Sequence, residues 1–339
     1  MLPCFREGVA PSLADFYNEM SALVAKADGT GWDRVWISEH HFHYYGGASP
    51  NPAVQLSAWA RETKNIRLGP AISLTPLRNP LHIAEDYAVV DQLSGGRLDF
   101  GVGRGSLPHE FAGHNLDPDA VSDMREEGFE IIRRAWAGET FAHQGDHYSF
   151  PKLRLHPLPL QAEVPIWVAA RAPITFDYAV EHGCDIMSWP LTMPFSEAEN
   201  YRARLDAAIA RNGGHYDGRW ALMRHTAVYE TEEDRQAALA ALRRVLGQFG
   251  NLMMKRGEVV NGFPDPVPLA ELEGNARTDP AMLEENLAFG SPDTVAEKVR
   301  QYEGLGVDAF IYYASMGLDM ERQKRSLQLF IDKVMPQFA

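Results

Sequence analysis

Glu39, His40 and His41, with His43 two positions on, stand directly after the strand-like run Val35–Ser38 in the stretch "WISEHHFHYY". A carboxylate and several imidazoles at a strand end suit two chemistries: ligation of a transition metal, or proton management beside a bound aromatic cofactor or substrate. A metal-dependent hydrolase would use His41 and His43 and would need further histidines and a carboxylate after later strands. The later strand-following segments, "TPLRNP", "RGSLPHEF", "ARAPIT" and "WPLTMPF", supply mainly Arg, Ser and Thr. No metal site is therefore expected.

The arginines point to an anion. Arg78, Arg104 and Arg171 each follow a strand in a chain of formal net charge -14. Guanidinium matches phosphate oxygens, and Thr175, on the first turn of an expected helix, adds a hydroxyl beside free backbone N–H groups. A phosphorylated cofactor fits these residues, and Trp189 with Tyr44 or Tyr45 could flank its rings. Two other motifs fail. "GVGRGS" has glycines at 101, 103 and 105, but the dinucleotide fingerprint needs one where Ser106 stands. No G-x-S-x-G elbow occurs, which removes a Ser-His-Asp hydrolase of that type.

The elements that must position these residues alternate between short β-branched or aromatic runs and amphipathic helical stretches. Strands are expected at Val35–Ser38, Arg67–Leu74, Arg97–Gly103, Ile166–Ala170, Asp185–Trp189, Leu222–Tyr229 and Ala309–Tyr313. Helices are expected near 13–28, 52–63, 80–94, 123–137, 173–182, 196–212, 232–249 and 293–305. The alternation predicts an α/β fold, a (β/α)8 TIM barrel or an open doubly wound sheet, and strand count favours the barrel. Its first strand would be the stub Met1–Phe5, which looks truncated. Gly250–Pro292, rich in Pro, Gly and charge, reads as a lid-like insertion between the seventh and eighth units. One domain, 1–339, is expected. The acidic balance disfavours nucleic acid and anionic membranes as partners. Cys4 and Cys184 are the only cysteines, and no signal sequence or apolar span is read, so a cytoplasmic location is expected.

The segments "VWISEHHF", "NPLHIAEDYAVVDQLSGGRLDFGVGRG", "MREEGFEII", "PIWVAARAPITFDYAVEHG" and "FIDKVMPQF" carry a resemblance to the bacterial luciferase-like flavin-dependent monooxygenases, over nearly the whole chain and in the family's order. The resemblance implies a (β/α)8 barrel, usually a homodimer, binding reduced FMN at the carboxyl-terminal mouth. It implies a monooxygenase that inserts one atom of O2 into a small apolar organic substrate through a C4a-peroxyflavin. A separate NAD(P)H:flavin reductase would supply the reduced flavin, because no dinucleotide fingerprint is present. "EHHF", where the F420 members more often carry "SDHF", favours FMN. An F420-dependent oxidoreductase and a non-catalytic flavin-binding partner subunit are the competing readings.

By position, the resemblance assigns His40 and Glu39 as the active-site pair, with His40 the proton donor or acceptor and His41 beside the cofactor. Arg104, Arg125 and Thr175 would bind phosphate, and Ser106 and Ala172 would offer backbone N–H groups. Trp189 would lie near the flavin ring, and Ala71–Ile72 would form a non-prolyl cis peptide beneath it. The chain departs from the luciferase catalytic subunit at Ala172, which stands for a serine, at Arg171, which stands for an acidic residue, and at Gly103, which stands for a cysteine. Arg171 or Arg78 is expected to compensate for the lost hydroxyl.

Overall fold

The computed structural model describes residues 2, 3, 5, 12–44, 48–254, 258–260, 262–265, 267, 268, 271 and 278–338. They form two compact units, one of residues 21–42 and 49–166 (amino-terminal) and one of residues 1–20, 43–48 and 167–339 (carboxy-terminal).

In the amino-terminal unit, β1 (Arg34–Ile37) runs parallel to β2 (Arg67–Pro70), and β3 (Ser73–Leu74) runs parallel to β4 (Phe100–Gly103). The single strand expected over 67–74 is thus two, separated by a cis peptide bond between Ala71 and Ile72. The helix Pro80–Ser94 follows its local signals closely. Asn79 Oδ1 accepts from the Leu81 N–H at 2.9 Å, Pro80 fills the first turn, and Gly95 ends the helix at φ 71° with its N–H on the Asp91 carbonyl. Ile83, Tyr87 and Val90, the face expected to point inward, are fully buried. Ile83 and Val90 each contribute on the order of 1.5–3 kcal/mol by leaving water. A hairpin absent from the sequence reading, β5 (Thr140–Gln144) with β6 (Ser149–Arg154), is closed by Glu127. Its carboxylate accepts from His143 Nε2 at 2.8 Å and from the backbone N–H groups of His147 and Tyr148.

In the carboxy-terminal unit, β7 (Ile166–Ala169), β8 (Asp185–Ser188), β9 (Trp220–Val228) and β13 (Ala309–Tyr313) form a parallel sheet in the order β7-β8-β9-β13. Arg224 on β9 is fully buried and points to the helix layer, where Nε donates to the Tyr302 hydroxyl at 2.8 Å. Its remaining nitrogens hold the carbonyls of Leu191, Met193 and Pro194, which fixes the loop after β8.

The segment 250–292 is not one open loop. The helix that begins at Glu232 runs to Met254; β10 (Val259–Val260) and β11 (Phe263–Pro264) form a short hairpin; a helix spans Pro280–Asn286; and β12 (Ala288–Gly290) pairs in parallel with Thr226–Val228. Apolar residues such as Leu283, Leu287 and Phe289 within that composition are buried, which is why it condenses. Residues 255–257, 261, 266, 269, 270 and 272–277 of the segment lie outside the described residues, as do Met1 and Cys4 of the expected first strand and Tyr45. Leu2, Pro3 and Phe5 are described and lie in no strand. Among the described residues no helix is long and apolar enough to cross a membrane.

Candidate active site

Beyond β1 the backbone carries Glu39 and His41 to one side and His40 to the other, as alternation along an extended chain requires. Glu39, 2% exposed, places Oε1 3.2 Å from His41 Nε2 and accepts the Leu74 N–H on Oε2 at 3.2 Å. His40 turns instead to Glu110, with Nδ1 2.9 Å from Oε1. The hydrogen bonds here form two pairs, Glu39–His41 and His40–Glu110. Glu110 comes from a short helix, Pro108–Gly113, and also accepts the His41 backbone N–H at 3.0 Å. Its side chain is 1% exposed against 20% for His40, so the carboxylate is the fixed member and the imidazole the accessible one. His114 packs edge-on against the His41 ring at 4.7 Å. Burial, then the neighbouring His41, holds the His114 imidazolium below its ordinary range. Tyr87 is buried near Glu39, and burial first, with the carboxylate second, pushes its phenol well above the ordinary value.

The glycines of "GVGRG" make room for the chain around the cis bond. A Cβ at Gly101 would lie 2.2 Å from the Pro70 carbonyl oxygen, and one at Gly103 would lie 1.9 Å from Ile72 Cδ1. Gly105 has φ 81° and sits against Phe111. Strand β4 thus approaches the Pro70–Ile72 backbone more closely than a side chain would permit. Gly103, where the luciferase subunit has a cysteine, is occupied by the Ile72 side chain. Ala71 and Ile72 are half-buried, and the Ala71 N–H donates to the Ile37 carbonyl at 2.7 Å.

The arginines separate into engaged and available groups. In the amino-terminal unit, Arg104 and Ser106 are exposed, and Arg104 has no ion pair or hydrogen bond among the described residues. Arg125 is half-buried and paired with Glu126 at 2.8 Å. Arg78 is committed to Asp86 at 2.5 Å and does not stand free for an anion. In the carboxy-terminal unit, Arg171 and Ala172 are exposed ahead of the helix Pro173–Glu181, which has no side-chain cap. The Thr175 hydroxyl is used locally: it donates to the Ala172 carbonyl at 2.7 Å and accepts the Arg171 N–H at 3.2 Å. Arg171 Nε reaches the Tyr201 hydroxyl at 3.3 Å, and its carbonyl accepts from Arg204.

Trp189 is half-buried at the end of β8 and stands edge-on to His225 and Tyr313. His225 stacks on Tyr313 with ring centroids 4.4 Å apart. Burial, then the Arg224 guanidinium beside it, pushes the His225 imidazolium from 6.5 down to about 3. A depressed folded-state value means that the unfolded chain binds the proton first. The stabilisation is complete above pH 6.5 and is lost as the pH falls toward about 3. Urea titrations between pH 6.5 and 4 should therefore show stability falling, with His225 supplying about 1.4 kcal/mol per pH unit. The His225→Phe variant should lose that part of the slope; an unchanged slope would refute the assignment.

Glu110, His114 and His225 were not singled out by sequence reasoning. Glu110 carried the one available signal, a carboxylate inside the strand-following segment "RGSLPHEF".

The family model described as luciferase-like monooxygenase matches residues 4–309. The oxygenase component of the flavin-dependent trigonelline monooxygenase of Acinetobacter baylyi is 31% identical over 326 residues, which cover 95% of this chain and 90% of the relative. Among solved structures, the monooxygenase RslO1 of Streptomyces bottropensis superposes with TM-score 0.81 at 25% identity, covering 97% of this chain and 95% of that one. The oxygenating constituent of 3,6-diketocamphane monooxygenase of Pseudomonas putida, solved with FMN, gives TM-score 0.75 at 21% identity, covering 97% and 95%. The fold is accordingly the α/β, (β/α)8 barrel fold expected from the sequence.

Proposed function

The chain belongs to the luciferase-like monooxygenase family, and on that premise we propose that it binds reduced FMN and inserts one oxygen atom from O2 into a small organic substrate. The observation that carries the reading is the His40–Glu110 pair, an accessible imidazole held at Nδ1 by a buried carboxylate 2.9 Å away. Fixing Nδ1 leaves Nε2 as the atom that holds or passes a proton, the same logic by which carboxylates orient catalytic and metal-binding histidines elsewhere. Reduced flavin, when bound, supplies the two electrons and the ring at which oxygen is activated. The chain's own part is to bind, orient and shield. Glu39 braces His41 and the end of β3 together, so the segment bearing His40 is tied to the strand beyond the cis bond. Ile72, Leu74, Leu77 and Phe111 pack as an apolar cluster that limits water.

The residues of the amino-terminal unit fit a phosphorylated flavin. Arg104 is an exposed guanidinium with no carboxylate partner among the described residues, on a loop whose Gly105 adopts a conformation favourable only to glycine. The Acinetobacter relative is an oxygenase component. We read this chain likewise as an oxygenase component, with a separate NAD(P)H:flavin reductase as its electron source and a homodimer as its assembly.

Anaerobic titration with reduced FMN tests the cofactor. Arg104→Ala should weaken reduced FMN by about tenfold or more, the worth of a charge-assisted phosphate contact. It should leave reduced riboflavin, which has no phosphate, unchanged. Equal affinity of wild type and variant for reduced FMN would remove Arg104 from the site, and binding of reduced F420 in its place would overturn the FMN reading.

A further inference from the structure

We propose that His225 is a substrate-binding residue which, together with the indole N–H of Trp189, receives the oxygen acceptor of a planar aromatic substrate. The proposal rests on the oxygenase reading above and adds the chemical class of the substrate.

Strand β9 divides its two neighbouring polar residues between two faces. Arg224 turns to the helix layer and finds the Tyr302 hydroxyl at 2.8 Å; on β13, Tyr312 turns to the same layer and finds Ser326 Oγ at 2.7 Å. His225 and Tyr313, paired in register across β9 and β13, therefore point to the other face. Arg224 and Tyr312 are satisfied on the helix side, whereas on this side His225 keeps an unpaired ring nitrogen. His225 is 1% exposed, and its Nδ1 has no hydrogen-bond partner. The buried Nε1 of Trp189 also has none, and neither does Ser315 Oγ, two residues past Tyr313. Buried polar groups in folded proteins are ordinarily paired, and unpaired ones cluster where a ligand completes them.

Geometry sets the shape of that ligand. His225 and Tyr313 lie 26° from parallel, while the Trp189 plane stands 68° from one and 87° from the other. A near right-angled corner of rings accepts a flat ring that stacks on one wall and meets the other edge-on. Electrostatics sets its polarity. With its imidazolium disfavoured until about pH 3, His225 is neutral at physiological pH, and indole offers only a donor. The complementary group is an uncharged acceptor such as a carbonyl, attached to the ring.

The test uses benzamide, a planar ring bearing a carbonyl, and cyclohexanecarboxamide, its non-planar counterpart, in calorimetric titrations of the full chain with and without FMN. Benzamide is expected to bind at least about fivefold more tightly than cyclohexanecarboxamide. His225→Phe keeps a ring against Tyr313 and removes the nitrogens; Trp189→Phe removes the N–H. Each should weaken benzamide by about tenfold, the scale of one lost hydrogen bond, and His225→Phe should leave FMN affinity within about twofold. Thermal melts establish that both variants are folded. No benzamide binding, equal binding of the two amides, or unchanged affinity in both folded variants would overturn the proposal. Competitive displacement of benzamide by FMN would also overturn it, because the corner would then be the flavin's. The cofactor reading fails separately, if FMN does not bind while benzamide does.

Discussion

Glu110→Gln is expected to slow single-turnover reoxidation of the FMN-loaded enzyme in the presence of substrate by about 100-fold or more, with the protein folded and flavin still bound. The two side chains have the same shape, so what changes is charge and proton bookkeeping. Glu110 is an acceptor toward both His40 Nδ1 and the His41 N–H. Both contacts fall on the same oxygen, Oε1, so an amide oxygen placed there can keep them, but the substitution removes the negative charge that faces His40 Nδ1. In catalytic histidines of other enzymes, loss of the orienting carboxylate costs from about 10-fold to 10⁴-fold. Glu39→Gln should cost less, since its amide oxygen can keep the Leu74 N–H. Stopped-flow absorbance of both variants checks the ranking, and equal effects would place Glu110 among purely structural carboxylates.

Gly101→Ala should prevent folding or destabilise the protein by more than about 3 kcal/mol, beyond the usual range for overpacking. The new methyl would lie 2.2 Å from a backbone oxygen, that of Pro70, which can retreat only by moving β2. Gly103→Ala looks worse by distance alone, at 1.9 Å, but the obstructing atom is the tip of the Ile72 side chain. A side-chain tip can rotate away, so about 1–3 kcal/mol is expected there. Ile72→Val, which deletes that tip, should recover much of the loss at 103 and nothing at 101. Urea unfolding of the single and double variants reads the coupling directly. Additive effects at 72 and 103 would show that the clash relaxes elsewhere.

The fold was legible because periodicity and capping are local. Asn79, Pro80 and Gly95 bounded their helix, and the aromatic-rich run Ala309–Tyr313 is a strand with the bounds read from sequence. The elements inside the segment 250–292 were hidden for the same reason: its Pro and Gly content signals a loop, while the burial of Leu283, Leu287 and Phe289 depends on what surrounds them. At the site, the residue types after β1 were visible but their partners were not. The resemblance named Glu39 and His40 together without naming their partners; Glu39 bonds His41, and His40 bonds a carboxylate 70 positions away. Family resemblance located the cis bond at Ala71–Ile72, which no propensity indicates. His225 could not be read from sequence at all, because its lack of a partner is a property of the packed sheet.

The division of β9 has a consequence for how such a protein can change. Arg224 bonds to the helix layer and the Leu191–Pro194 loop, yet its charge is one of the two causes that keep His225 neutral. A substitution on the outer side of the strand can therefore alter the acidity of the inner side without placing any new atom there. Inherited variation at position 224, or at Tyr302 which anchors it, becomes a route by which selection retunes an interior surface from behind. Libraries that randomise only the residues lining that surface would leave this control unsampled.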